Sequence, residues 1–190
     1  MGAARRLADY RDLLDLPDHV VGEILNGQLE VSPRPRFAHA RASSRLDRWL
    51  GDFDDGGDDE PPEQWWIFPE VEVLVGNDVL VPDLAGWRRS RCPEMPSGRH
   101  AEQAPDWVCE VLSPGSVRMD RQVKLPLYAQ AGVGHAWLVD VDERLLEAYR
   151  REGTAWLLLG VWSGTDVARI APFDARELQL ARLWAPTGAA

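Results

Sequence analysis

The sequence predicts an α/β domain in which a mixed central sheet is flanked by helices, with a β-hairpin near each end of the chain. Three observations carry this reading. From Val81 to Asp140 the chain reads strand, strand, helix, strand, and a helical stretch precedes it. Asn26-Gly27 divides two apolar arms, the strongest short-range hairpin signal because both central residues must take positive φ. Arg151-Glu152-Gly153-Thr154 divides another two arms. At 190 residues the chain is long enough for one domain with a real core. We expect a single domain over 1–190, with its core at about 20–162, an acidic loop at 52–62 and a tail at 184–190.

In chain order, Leu7 to Leu16 reads as a short amphipathic helix stopped by Pro17. The first hairpin runs through Val20–Leu25 and Gln28–Val31, and Pro33-Arg34-Pro35 ends it. Ala38 to Phe53 has helical character, with Leu46, Trp49, Leu50 and Phe53 on one stripe. The loop that follows is acidic, contains Gly and Pro, cannot bury a core and is expected to be mobile. Trp65 to Val75 is expected to be one strand, Gly76-Asn77-Asp78 a turn, and Val79 to Ala85 its partner. Residues 88–105 lack periodicity and contain three prolines, so a long surface loop is predicted; such loops often carry function. Trp107 to Leu112 has the short, continuous apolar character of a strand buried on both faces. A helix from Val117 to Ala131 ends at Gly132, with Pro126 kinking it or delaying its start. His135 to Asp140 is a strand, Leu145–Arg150 and Ala155–Trp162 form the second hairpin, and Leu178 to Leu183 is a short terminal helix.

The composition, 45% hydrophobic and 27% charged, is that of an ordinary soluble protein. No apolar run approaches the roughly 18 residues of a membrane span, and the N-terminus has charges where a signal peptide needs apolar residues. A cytoplasmic location is expected. Cys92 and Cys109 are too isolated for a disulfide framework and read as reduced packing residues, and His19, His39, His100 and His135 show no ligand spacing. The net charge of −10 argues against a polyanionic partner. Its distribution weakens that objection. Asp52 to Glu60 holds six acids and no base, without which the net charge is −4, while Arg34 to Arg48 holds five arginines and one acid. A basic patch exists whether it is a binding surface or only a solvated helix face.

Polar residues in apolar surroundings mark the candidate site. Glu110 is the one charged residue in the buried strand, and an unpaired buried charge costs several kcal/mol, on the order of a large fraction of a domain's net stability. A metal ion or cation partner would offset it. Asp83 closely follows the apolar Val79-Leu80-Val81, and Lys124 lies in the helix after Glu110, so one aspartate, one glutamate and one lysine make a candidate divalent-metal site. Hard Mg²⁺ takes oxygen ligands, usually one or two carboxylates plus waters and substrate phosphate. Of the 21 basic residues 20 are arginine and Lys124 is the only lysine. That single exception suggests a position needing a compact ammonium; the plainer alternative is a solvated lysine paired with Asp120 at i, i+4. Glu23 on the first hairpin is a further carboxylate or an ordinary strand glutamate. His39 is a phosphate contact or a structural histidine, Asp120 faces the same side as Lys124, and Trp65, Trp66 and Trp87 are either core or base-stacking platforms.

The segments EILNGQLEVSPRP, Ala38-His39-Ala40, VPDLAGWR, EVLSPGS, DRQVKLPLYAQAGV and WLVD together resemble the PD-(D/E)XK nuclease superfamily, and more narrowly a widespread bacterial family of restriction-endonuclease-like proteins. The resemblance covers about Glu23 to Tyr149. It implies a restriction-endonuclease-like fold, DNA as partner, and a site in which Asp83 and Glu110 hold Mg²⁺, with Mn²⁺ as substitute, beside Lys124. From the residues themselves, Glu23, His39 and Asp120 are expected to support that site, and Arg34, Arg36, Arg41 and Arg45 of the basic stretch are expected to contact nucleic acid. One departure stands out: the superfamily's usual lysine, two residues after the acid, falls on Leu112, so Lys124 would be its migrated replacement.

Three function classes remain open. They are a metal-dependent DNA endonuclease, possible as a homodimer; a nuclease-like module that binds nucleic acid or protein without turnover; and a hydrolase using Asp83 and Glu110 as acid and base on a non-phosphate substrate. Metal binding separates the third from the first, and turnover with Mg²⁺ or Mn²⁺ separates the first from the second.

Overall fold

The structure, a computed structural model, describes residues 6–54 and 63–185. Most of the expected acidic loop and the end of the tail therefore lie outside the described residues. The strands are β1 (Val20–Leu25), β2 (Gln28–Pro33), β3 (Trp65–Pro69), β4 (Glu72–Val75), β5 (Asp78–Leu80), β6 (Leu84–Arg88) and β7 (His100–Ala101). They continue with β8 (Trp107–Leu112), β9 (His135–Asp140), β10 (Leu145–Glu152), β11 (Ala155–Ser163), β12 (Val167–Ala168) and β13 (Leu178–Gln179). The central sheet has the order β11-β10-β9-β8-β6-β3, and a second sheet has the order β2-β1-β5-β4-β7. Antiparallel β6/β8 beside parallel β8/β9 makes the central sheet mixed. Helices cover it on both sides, and the two expected hairpins are present.

The first hairpin forms as predicted, with Asn26 at φ 52° and Gly27 at φ 71°. The expected long strand from Trp65 to Val75, by contrast, is two strands in two sheets. Its partner is likewise divided: β5 pairs with β4 and β6 pairs with β3. The hairpin breaks at Glu70, a non-glycine residue at φ 48°, and across from it at Val81 to Asp83, where the Glu70 amide donates to the Asp83 carbonyl at 3.2 Å. Periodicity alone did not show this break because both halves are apolar, and only the competing sheets require it.

Helix α1 (Tyr10–Leu14) is shorter than expected and buries none of its residues; Asp9 caps it, and Leu7 stays exposed. Helix α2 (Phe37–Asp54) buries His39, Ala42, Leu46, Leu50 and Phe53. The predicted helix before Gly132 is one continuous rod with a change of winding: α3 (Val117–Met119), a π-helical turn Asp120–Lys124 and α4 (Leu125–Ala131). The Leu125 amide reaches back five residues to the Asp120 carbonyl, and Pro126, lacking an N–H, cannot restore the ordinary bond after it. Gly132 ends the rod at φ 89°.

Alternation along β8 assigns its two faces. Trp107, Cys109 and Val111 pack with α2, whereas Val108 and Leu112 pack with Leu125, Leu127 and Tyr128 of α4. Glu110 shares parity with Val108 and Leu112, so it points toward the helical rod. The core extends past the expected limit near 162: Ile170, Phe173, Leu178, Leu180, Leu183 and Trp184 are buried against α2 and the sheet. Indole N–H groups secure this segment, Trp137 to the Ala171 carbonyl and Trp184 to the Gly164 carbonyl, each bond shorter than 3 Å. The expected helix at Leu178 to Leu183 is instead β13 followed by a 3₁₀ turn, Leu180–Arg182. The surface loop at 88–105 holds one short strand, β7, parallel to β4. Cys92 and Cys109 are free thiols, and no described helix is long and apolar enough to cross a membrane.

Candidate active site

Four elements bring the predicted polar residues together. The β6/β8 register pairs Leu84 with Cys109, so continuing it by one residue brings Asp83 level with Glu110. Asp83 lies in the hairpin break, free of ladder pairing, and its Oδ2 accepts the Val111 amide at 2.7 Å while Oδ1 lies 3.2 Å from His39 Nε2. Glu23 enters from β1 and accepts the Val81 amide at 2.7 Å. The break in the hairpin thus exposes backbone groups that side chains satisfy.

Lys124 sits at the centre. Its Nζ lies 2.7 Å from Glu110 Oε1, 2.9 Å from Glu23 Oε1 and 4.0 Å from Asp120 Oδ1, and it donates to the Val81 carbonyl at 3.2 Å. With only 3% of its surface exposed, Lys124 is not the solvated lysine of the alternative reading. The π turn carries both Asp120 and Lys124, and Tyr128, one turn on, donates its hydroxyl to Glu110 Oε1 at 2.5 Å. Tyr128 was missed in the sequence, although its spacing of four from Lys124 would have placed it on the same stripe. Leu112 is buried in the core, so no ammonium comes from that position.

The electrostatics are unbalanced. Burial pushes the Glu110 carboxyl well above its ordinary range; Lys124 opposes this, and the neighbouring acids add to it. Asp120 is raised for the same principal reason. For Lys124 burial acts downward, but the surrounding carboxylates outweigh it and hold the ammonium charged. Burial also lowers His39, yet its contact with Asp83 wins and the net shift is upward. Four carboxyl groups therefore share one ammonium and one imidazole. His39 Nδ1 is buried without a hydrogen-bond partner.

This donor set suits a hard divalent cation. Asp83 and Glu110 supply carboxylate oxygens, and the surplus of acid over base is what such a cation would offset. Among the described residues no three or more His, Cys, Asp or Glu side chains are grouped to hold a metal ion.

The other candidates are dispersed. Trp65 and Trp87 are fully buried and cannot stack on bases, whereas Trp66 is part-buried, with its indole bonded to the Cys92 carbonyl and Arg89 above its ring. Arg34 pairs with Glu70 at 3.2 Å and Arg41 bonds the Trp184 carbonyl at 3.0 Å. Arg36 and Arg45 are exposed.

A family model described as "Uma2: Putative restriction endonuclease" matches residues 7–181. Among solved structures, a crystal structure titled as that of "a putative nuclease belonging to DUF820" from Anabaena variabilis ATCC 29413 is similar with a TM-score of 0.73. The match covers 93% of this chain and 97% of that chain at 23% sequence identity, a likeness of fold. No curated protein matches the sequence.

Proposed function

The chain belongs to the Uma2 family of restriction-endonuclease-like proteins, within the PD-(D/E)XK-like superfamily, and from that premise we propose that it is a metal-dependent endonuclease that hydrolyses DNA phosphodiester bonds. One observation carries the reading: the sole lysine of the chain is buried at ion-pair distance from two carboxylates that come from different sheets. Asp83 and Glu110 would hold Mg²⁺ or Mn²⁺. When bound, the cation would supply an activated water at neutral pH and offset charge developing on the phosphoryl oxygens.

The chain's own residues do the rest. Lys124 provides a compact positive charge beside the scissile phosphate, and the Val81 carbonyl and Glu23 fix its ammonium. Tyr128 holds the Glu110 carboxylate in one orientation, as His39 and the Val111 amide do for Asp83. Glu110 and Glu23, and to a smaller extent Asp120, keep Lys124 charged. These contacts preorganise the site, so little reorganisation is left for the chemical step.

Plasmid nicking and calorimetry test this together. The wild type should bind Mg²⁺ or Mn²⁺ and nick supercoiled DNA, and Asp83→Asn and Glu110→Gln should do neither. A wild type that binds no divalent metal would overturn the mechanism. A second reading, a nucleic-acid-binding module without turnover, is favoured because among the described residues no three or more His, Cys, Asp or Glu side chains are grouped to hold a metal ion; DNA binding without nicking in either metal would establish it.

A further inference from the structure

We propose that a second site, separate from the carboxylates, binds the phosphate backbone of nucleic acid. It is a cleft of about 590 Å³ between the C-terminal half of α2 and the segment after β12, lined by Arg45, Arg48, Arg169, Arg176 and Arg182. Among the described residues, Asp52 and Glu177 are the acids that line it. In a chain whose net charge is −10, five guanidiniums converging on two carboxylates form a local concentration of positive charge that repulsion would otherwise disperse. This inference rests on the nuclease reading and adds to it where the DNA lies outside the cleavage position.

The arginines divide into two groups. Arg176 pairs with Asp52, while Arg169 lies 3.8 Å from Glu177 and bonds the Asp174 and Ala175 carbonyls, so these two shape the wall. Arg45, Arg48 and Arg182 are exposed and form no ion pair or side-chain hydrogen bond with the described residues. Arg45 and Arg48 are three residues apart on α2, about 4.5 Å along its axis, so they are neighbours on one helix surface. A planar guanidinium can grip two phosphate oxygens at once. The chemistry therefore favours a repeating phosphate chain over a single small anion.

The cleft also has a defined relation to the proposed active site. His39 lies six residues before Arg45 and nine before Arg48, about 9 and 14 Å along the same helix. The two arginines turn away from the buried face that carries His39. A nucleic acid engaged by both sites would thus be held a few nucleotides from the scissile phosphate, around the side of α2. This assigns the arginine run of the sequence differently from expectation: Arg45 is joined here by Arg48 and by C-terminal arginines, whereas Arg34 and Arg41 are engaged within the fold.

The test is duplex binding by fluorescence anisotropy without divalent metal, over about 50 to 200 mM salt, for wild type, Arg45→Ser/Arg48→Ser/Arg182→Ser and the matching triple lysine variant. Each lost phosphate contact should reduce the salt slope by about 0.9, so the serine variant should lose about two to three units of slope and bind at least tenfold more weakly at low salt. The lysine variant should keep the slope. An unchanged slope in a serine variant of wild-type thermal midpoint overturns the proposal, as does a wild type that binds no duplex at the lowest salt. Plasmid nicking separates the two readings. A wild type that nicks, with binding indifferent to the three arginines, overturns the cleft alone; arginine-dependent binding without nicking in Mg²⁺ or Mn²⁺ overturns the nuclease reading alone.

Discussion

Two ion-pair systems sit three residues apart on the same helical rod, and they are built on opposite principles. Arg121 meets Glu147 of β10 through two parallel bonds of 2.6 and 3.0 Å, with Tyr149 completing the carboxylate's shell. One cation faces one anion, and the guanidinium keeps about a third of its surface in solvent. Lys124 instead lies fully enclosed among Glu23, Glu110 and Asp120, with more acid than base. A balanced, half-wet pair needs nothing further and contributes little, whereas a buried surplus of carboxylate costs stability unless something else is bound. The comparison teaches that the imbalance, rather than the number of contacts, marks the candidate site.

The largest expected effect tests whether Lys124 differs in kind from Arg121. Lys124→Arg should retain metal binding but lower plasmid nicking by on the order of 10²- to 10³-fold, because a larger planar cation cannot fit the position of a compact ammonium. Arg121→Lys should leave nicking nearly unchanged. Equal rates for wild type and Lys124→Arg would reduce Lys124 to a second structural pair.

Stability sharpens the contrast. Lys124→Met strands Glu110, Glu23 and Asp120 without their cation and should cost about 3 to 5 kcal/mol, whereas Arg121→Met, at a site screened by solvent, should cost about 1 kcal/mol or less. Chemical denaturation of the two variants measures both, and similar losses would erase the distinction.

Neutralising the acid should have opposite consequences in the two systems. Glu110→Gln should fold at least as stably as the metal-free wild type, since the amide keeps the shape and removes a buried charge. Glu147→Gln should be slightly less stable. Saturating Mg²⁺ at about 100 times its Kd should raise wild-type stability by about 2.7 kcal/mol and leave Glu110→Gln and Asp83→Asn unmoved. Thermal midpoints with and without metal decide this, and a shift retained in Asp83→Asn would remove that residue from the ligand set.

The smallest effect is a pH dependence. Burial acts to raise Glu147, but its bonds from Arg121 and Tyr149 outweigh that and lower it below the ordinary glutamate value. An acid lowered in the folded state contributes stability that is present above its unfolded value, about 4.3, and is lost as pH falls through the folded one. Arg121→Gln should therefore flatten the decline of the thermal midpoint below about pH 4.3, to a small degree because the pair is part-exposed. An identical acid limb in both proteins would show that the pair adds no linkage.

The sequence by itself determined what depends on local chemistry. Asn26-Gly27 required a tight turn, Gly132 ended a helix, and the uninterrupted apolar run around Glu110 specified a strand buried on both faces; each is an intrinsic conformational or solvation preference, and each is present. The lone lysine and the acids near it were legible as chemically unusual. Tertiary structure alone decided how they meet. The hairpin from Trp65 to Arg88 breaks because its halves join different sheets, and this frees Asp83 from ladder pairing while turning Val81 toward Lys124 and Glu23. The π turn, the hydroxyl of Tyr128 on Glu110, and the gathering of arginines from both ends of the chain were likewise decided there. Local preferences act over a few residues and can be read along the chain, whereas the electrostatic cost of a buried carboxylate depends on which distant groups the fold places within a few ångströms of it.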